Sequence, residues 1–329
     1  MPGGGHQAAL YPLKAITALL LALLLYGLLG LAAGWGVVSR DLANLPPWLW
    51  LAALAVVGLG HGLLFCRWQL YLAQLGHRLP VSASLPIYGA GLGLIMAPGR
   101  SGEALRGLWL QRRHGIPLRI GVAATAGERL VDLISALLVL GWGLGGQQLP
   151  GVGLALLLLA LLAWGISHPQ AVQRLETWLG PPVLRGPRAL QRRWLGLHRV
   201  LWEAIQALEG LRRVLRPKPL LAGLSFTISV WLLESWLVQQ LLAALGAPVS
   251  LGAAGVIRTA TSLGGALSLL PAGLGSSELT SVGFSILYGA SQSQAVAATF
   301  VLRLVTLALP ALLGAACLLL QPDLRRLSR

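Results

Sequence analysis

Charge is what this sequence has least of. Asp, Glu, Lys and Arg make up 11% of its 329 residues, against roughly 25% in a soluble domain. Hydrophobic residues make up 56%, and mean hydropathy is +0.73. An ordinary soluble fold is excluded, and an all-α polytopic membrane protein is predicted. Cysteine is almost absent as well: Cys66 and Cys317 lie in apolar segments with no CxxC pattern or histidine near them, which argues against a disulfide framework and a zinc site. The histidines (His6, His61, His77, His114, His168 and His198) are scattered, with no HExxH or metal-ligand spacing. No metal or other cofactor is expected, and no hydrolase constellation stands out. GAGLG over residues 89–93 lacks the strand before it and the acidic partner after it that a dinucleotide loop needs, so it reads as helix packing.

Acids are scarcer than bases, ten against 25, giving a formal charge of +15. In a soluble chain that balance would suggest nucleic acid. Here most basic residues sit in loops or tails, so position matters more than sum and no nucleic-acid partner is expected. The segment 169–219 carries ten Lys or Arg against three Glu, which makes it cytoplasmic by the positive-inside rule. Within it Leu190, Trp194, Leu197, Leu201, Ile205, Leu208, Leu211 and Leu215 recur every three or four residues. This stripe predicts an amphipathic helix along the inner membrane surface, with anionic lipids as its partner. The basic tail, 321–329, is placed in the cytoplasm with the N-terminus.

What the chain does have is a series of apolar runs within a single transmembrane domain, 1–329. The run from Ile16 to Ala33 is longer than the roughly 7–15 residues of a signal-peptide core and is read as a retained first helix, 14–38. A second span covers about Trp48 to Cys66, and Arg67-Trp68 after it reads as an interfacial anchor. Ser84 to Ala97 is too short for the roughly 20 helical residues a bilayer needs. It reads as the descending arm of a re-entrant hairpin broken at Pro98, Gly99 and Gly102, with Glu103 to Leu110 ascending. Spans follow at about Ile120–Leu144, Val152–Ile166 and Leu220–Leu245. A second broken segment, Leu251–Leu270, meets Pro271, Gly273 and Gly275, then Glu278–Tyr288 and a last span from Gln294 to Leu320.

The two breaks belong to an internal repeat. APGRSGEALRG…VAATAGERL returns about 174 residues later as LPAGLGSSELT…VAATFVLRL; Glu103 precedes Arg129 by 26 positions and Glu278 precedes Arg303 by 25. Upstream, Trp68…Leu75-Gly76…Pro80-Val81-Ser82 is echoed by Trp236…Leu245-Gly246…Pro248-Val249-Ser250. The repeats are assigned to 48–145 and 220–320. Counting spans from the basic loop makes them inverted in the membrane, with about six full transmembrane helices and two re-entrant hairpins. Glycine- and proline-broken segments at matching positions point to a transporter-type site, because unwound backbone at membrane depth survives where it lines a cavity. Close packing of small residues is the alternative reading.

Ionisable groups inside spans are costly and face the interior. The inward set is Glu103, Glu128, Arg129, Asp132, Glu234, Arg258, Glu278 and Arg303, five acids against three bases, with Arg106 beside the first break. These are the candidate substrate-binding residues, and internal ion pairing is the competing role. The acid excess leans towards a cationic headgroup, with an anionic isoprenoid carrier as the alternative. Glu103 and Glu278 each follow a glycine-rich turn, where a half-helix N-terminus tolerates a carboxylate. Two function classes remain: a lipid translocator with a midplane cavity, and a membrane enzyme or accessory subunit acting on a lipid-linked sugar or isoprenoid phosphate.

Arg67-Trp68, Pro98-Gly99…Gly102-Glu103…Arg106, Glu128-Arg129…Asp132, Pro271…Gly273…Gly275…Glu278 and Arg303 together resemble the lysylphosphatidylglycerol synthase transmembrane region, or flippase-like family, over about residues 14–320. In two-part members this region moves an aminoacylated phospholipid made by a fused synthase domain. The resemblance implies a lipid flippase-like module in a bacterial-type cytoplasmic membrane, standing alone, with a separate synthase or glycosyltransferase as possible partner. The second copy departs from the first: its break reads Pro-Ala-Gly, and Leu302 stands where Glu128 precedes Arg129.

Overall fold

A computed structural model describes residues 34–94, 105–145, 149–167, 177, 202–203, 205–268 and 270–321. Most of the expected first helix, the first break with Pro98, Gly99, Gly102 and Glu103, most of the basic loop and the tail lie outside the described residues. Among the described residues every regular element is helical.

Helix α1 is Trp35–Ala43, opened at Gly34, whose φ of 80° is open to glycine and strained for other residues. It runs through residues 39–43, beyond the sequence-predicted end of the first helix at residue 38. Helix α2, Pro47–Gln74, starts on a proline at its first turn and ends in a Leu75-Gly76 turn. Its 28 residues rise about 42 Å. That is eight residues longer than the sequence-predicted end at Cys66, and it carries Arg67 and Trp68 inward instead of to an interface. Helices α3, Val81–Leu92, and α4, Leu105–His114, flank the undescribed break. Helix α5, Leu118–Gly143, holds Glu128, Arg129 and Asp132. Helix α6, Leu149–Ser167, follows it.

Helix α7, Pro217–Ala244, matches α2 in length, in its first-turn proline and in its closing Leu245-Gly246. Helix α8, Leu251–Leu267, leads to the second break, a single 3-10 turn over Pro271–Gly273. Ala272 (φ 54°), Gly273 (φ 64°) and Gly275 (φ 87°) all turn left-handed there, so the helical path is interrupted where the sequence predicts. Helix α9, Ser276–Leu287, then begins. Helix α10, Gln292–Arg303, passes through a π-turn at Leu304–Ala308 into α11, Leu309–Leu320. Among the described residues three stretches are long and apolar enough to cross a membrane by length and composition: Pro47–Gln74, Pro217–Ala244 and Gln292–Leu320.

The repeat is visible in hydrogen bonds. The Gln69 amide donates to the Leu79 carbonyl at 3.2 Å, and Gln239 donates to Val249 at the same distance, a shift of 170 positions (69 to 239). The same shift carries the His77-to-Leu72 turn bond onto Ala247-to-Leu242. Trp68 therefore corresponds to Val238. The sequence pairing of Trp68 with Trp236, and of the two Pro-Val-Ser strings, is two residues out of register.

Helices α2 and α7 pack antiparallel. Trp48 near the start of α2 meets Trp236 near the end of α7, with ring centroids 6.5 Å apart. Gly60 faces Val230 in the middle, and Arg67 reaches Thr227. Gly60 and Val230 are themselves related by the 170-residue shift (60 to 230). Val57, Leu237, Leu241 and Leu242 belong to the apolar cluster that α10 completes with Ala297, Val301 and Leu302. Elsewhere Gly107 of α4 and Gly121 of α5 cross so closely that a Cβ on Gly121 would overlap the Gly107 backbone.

The described end of the basic segment is helical over 205–214, as expected. Ile205, Leu211, Val214 and Leu215 of this end are buried; the stripe from Leu190 to Leu201 lies outside the described residues. A Cβ built on Gly210 would lie 2.7 Å from Ala123, and one on Gly127 the same distance from Val214. Gly210 on this helix and Gly127 on α5 leave room for the contact.

Candidate functional site

Residues from both halves converge on one cavity of about 500 Å³. Arg67 of α2, Arg106 of α4, Glu128, Arg129 and Asp132 of α5, Glu234 of α7, Arg258 of α8 and Arg303 of α10 all line it. Ala272 and Gly273 of the second break form part of the wall, with Thr306 of the π-turn.

On one side the charges alternate. Arg106 Nη2 donates to Glu128 Oε2 at 2.5 Å, and Glu128 Oε1 lies 3.9 Å from Arg67 Nη2. Arg67 Nη1 donates to Asp132 Oδ1 at 2.5 Å and to Thr227 Oγ1 at 2.6 Å, while Arg129 Nη2 is 3.2 Å from Asp132 Oδ2. Glu128 and Asp132 are four apart on one face of α5, so neighbouring helices can supply cations to both. Arg106 has room because α3 carries Gly91 beside it; a Cβ there would lie 2.8 Å from Arg106 Cδ. Its guanidinium also sits 4.5 Å from the Trp68 ring centroid and 5.6 Å from that of Tyr88, a cation–π position. The Trp68 indole N–H is satisfied by Ser84 Oγ at 3.0 Å.

On the other side there are two pairs. Arg258 Nε donates to Glu234 Oε2 at 2.7 Å, with the guanidinium 4.6 Å from the Trp231 ring. Glu278, fully buried at the first turn of α9, accepts the Gly275 N–H on Oε2 at 2.8 Å and Arg303 Nε on Oε1 at 2.7 Å. The N-terminus of α9 is where orphan N–H groups and the helix dipole favour a carboxylate. Arg303 Nη2 also donates to the Ala272 carbonyl at 2.9 Å, tying the left-handed residue of the break to the last span.

Of the candidate residues, Arg106, Glu128, Arg129, Asp132, Glu234, Arg258 and Arg303 reach the cavity wall, and Glu278 lies behind Arg303. Pro271 and Gly275 frame the break; Pro98, Gly99, Gly102 and Glu103 are outside the described residues. Within this set Glu128 pairs with Arg106 and faces Arg67, and Arg129 meets Asp132. The acid excess expected from the sequence disappears among the described residues: with Arg67 and Arg106 on the wall, they supply five guanidiniums against Glu128, Asp132, Glu234 and the underlying Glu278. Sequence reasoning missed Arg67, Trp68, Tyr88, Thr227 and Trp231 as site residues. The one signal for Arg67 was parity, since two carboxylates on α5 need more cation than Arg129 alone.

An all-helical chain with apolar spans around an ion-paired interior cavity is an integral membrane protein. It belongs to the family described as the lysylphosphatidylglycerol synthase TM region, which matches residues 15–314. No curated protein matches the chain.

Proposed function

We propose that this protein is a lipid translocase of the cytoplasmic membrane, moving a polar-headgroup phospholipid or lipid-linked molecule through the cavity between its two halves. The single observation that carries the reading is the cavity itself: charged residues from both repeats, together with the broken backbone at Pro271–Gly273, line one interior space. Charges in a membrane interior are expensive and occur where they line a pathway or pair. Here they do both.

The antiparallel packing of α2 on α7 supports two repeats of opposite orientation, 48–145 and 220–320, each with a re-entrant hairpin, among about six full spans. Both termini and the 169–219 segment then face the cytoplasm, and the headgroup crosses while acyl chains stay in the bilayer. A separate synthase or glycosyltransferase would supply the substrate. The family description, which names a lipid synthase's membrane region, fits a lipid substrate.

The test is reconstitution of the purified chain into vesicles carrying a headgroup-accessible fluorescent phospholipid, with an impermeant quencher added outside. Protein-dependent loss of the protected inner-leaflet signal is expected. Signal equal to that of protein-free vesicles, across several headgroups, would return the enzymatic or accessory-subunit reading.

A further inference from the structure

We infer that the two halves stand at opposite ends of one sliding motion. The protein alternates between this arrangement and its exchange, in which α3 has moved two helical turns along α11 while α8 has made the reverse move along α5. This deepens the translocase reading and rests on it for the repeat architecture.

The arm before each break packs on the last span of the other half. A Cβ built on Gly89 of α3 would lie 2.7 Å from Cys317 Sγ of α11, and one on Gly93 would lie 2.8 Å from the Gly314 carbonyl carbon. In the other pair, a Cβ on Gly252 of α8 would lie 3.4 Å from Gly143 Cα of α5, and one on Gly255 would lie 3.3 Å from Val139 Cγ1. Both crossings are antiparallel, since position rises on the arm as it falls on the span.

These contacts are alike in kind and out of step in position. The 170-residue shift carries Pro80, just before α3, onto Ser250, just before α8, so Gly252 corresponds to Ser82. The 174-residue shift of the VAAT string carries Pro117, before α5, onto Ser291, before α10, so Gly143 corresponds to Cys317. Equivalent halves would set Ser82 against Cys317. Gly89 is there instead, seven positions further (82 to 89), or about 10 Å along the helix. Seven residues fall within about 20° of two full turns, so the slide returns the same face of α3 to α11.

Exposure follows the offset. Helix α3 leaves its start uncovered, with Val81 57% and Leu85 48% exposed, and buries Gly89 and Gly91 at its end. Helix α8 buries Gly255, the counterpart of Leu85, and leaves Leu267 83% exposed at its end. Each arm is tied to the helix before it in the same way, by the Gln69–Leu79 and Gln239–Val249 bonds, which puts the difference between arm and span. Glycines 89, 93, 143, 252 and 314 at the crossings let backbones pass closely with few interlocking side chains. The exchanged arrangement uses the same kinds of contact with the halves' roles reversed, the condition for two packings of one fold. Both arms line the cavity, α3 through Tyr88 and Leu92 and α8 through Arg258 and Ser262, so the slide moves its walls.

The full-length protein with Cys66→Ala and native Cys317 would be reconstituted in lipid vesicles and oxidised with copper phenanthroline, with disulfides read by mass spectrometry of its peptides. Gly89→Cys, whose Cβ would lie 3.4 Å from that of Cys317, near disulfide spacing, should bridge in the present arrangement. Ser82→Cys should bridge in the exchanged one, and Ala83→Cys, about 100° round the helix, should stay reduced. A Ser82→Cys thiol that stays reduced, or an Ala83→Cys bridge forming as fast, overturns the inference. Spin labels at the exposed Val81 and Leu312, with both native cysteines replaced by Ala, test the slide without altering Gly89: two distance populations are expected, and a single one overturns it. Each bridge should stop labelled-lipid movement until reductant is added. Movement at the wild-type rate in both bridged forms overturns the inference and leaves the translocase standing, whereas both bridges forming in a protein that moves no lipid would fault the translocase reading alone.

Discussion

Arg67 and Asp132, 65 positions apart, meet at 2.5 Å in the interior with the Arg67 side chain 2% exposed. Removing one partner of such a pair leaves an uncompensated buried charge and costs about 3–5 kcal/mol, whereas replacing both by apolar residues is often near neutral. Arg67→Met should therefore destabilise the protein, and Arg67→Met with Asp132→Leu should regain part of the loss, because Asp132→Leu also removes the carboxylate that Arg129 meets. Thermal unfolding in detergent measures both. A single variant as stable as wild type would show that water reaches the pair.

Arg303 poses the same question at the second break, with a backbone contact added. Arg303→Ala strands Glu278 and releases the Ala272 carbonyl, so a loss of about 3–5 kcal/mol is expected. Combining it with Glu278→Gln, which removes the stranded charge and retains an acceptor for the Gly275 N–H, should recover part of that loss. Strictly additive effects in the double-variant cycle would mean the two side chains do not interact.

The glycines separate by sign. Gly121→Ala would drive a Cβ into the Gly107 backbone, and overpacking of this kind costs about 1–3 kcal/mol. Gly62, in the interior of α2 with nothing near its missing Cβ, should gain about 0.5–1 kcal/mol on substitution by Ala. Matched unfolding curves for the two variants check the contrast; equal effects would place α4 and α5 further apart.

How far the sequence could be read depended on whether a feature was local. The starts and ends of α5, α7 and the second break followed from prolines, Leu-Gly turns and helix period, all of which act within one turn. Arg67 was misplaced because a span of about 20 residues ends at Cys66 by length alone, while the signal that α2 continues was the Leu75-Gly76 turn repeated at Leu245-Gly246. The repeat register slipped by two because Pro-Val-Ser matches as letters, whereas the fold aligns Gln69 with Gln239 through a side-chain bond. Which arginine meets Glu128 depends on how α4 crosses α5 at Gly107 and Gly121, a non-local fact. The break at Pro271–Gly275 was legible because proline interrupts a helix and glycine tolerates the left-handed backbone found at Gly273 and Gly275.

Opposite orientation of the two repeats predicts opposite access. In a background with Cys66 and Cys317 replaced by Ala, Ser101→Cys and Ser276→Cys should react with an impermeant thiol reagent from opposite sides of sealed vesicles. Labelling of both from the same side would contradict the inverted arrangement.

The central claim is that the headgroup passes through the cavity shared by the two halves, and Ser262, which lines it, offers a reversible block. In the same cysteine-free background, Ser262→Cys would be reconstituted and treated with a bulky methanethiosulfonate reagent while labelled-lipid movement between leaflets is followed. Movement should stop on modification and return on adding reductant. Movement at an unchanged rate in fully modified protein would contradict it.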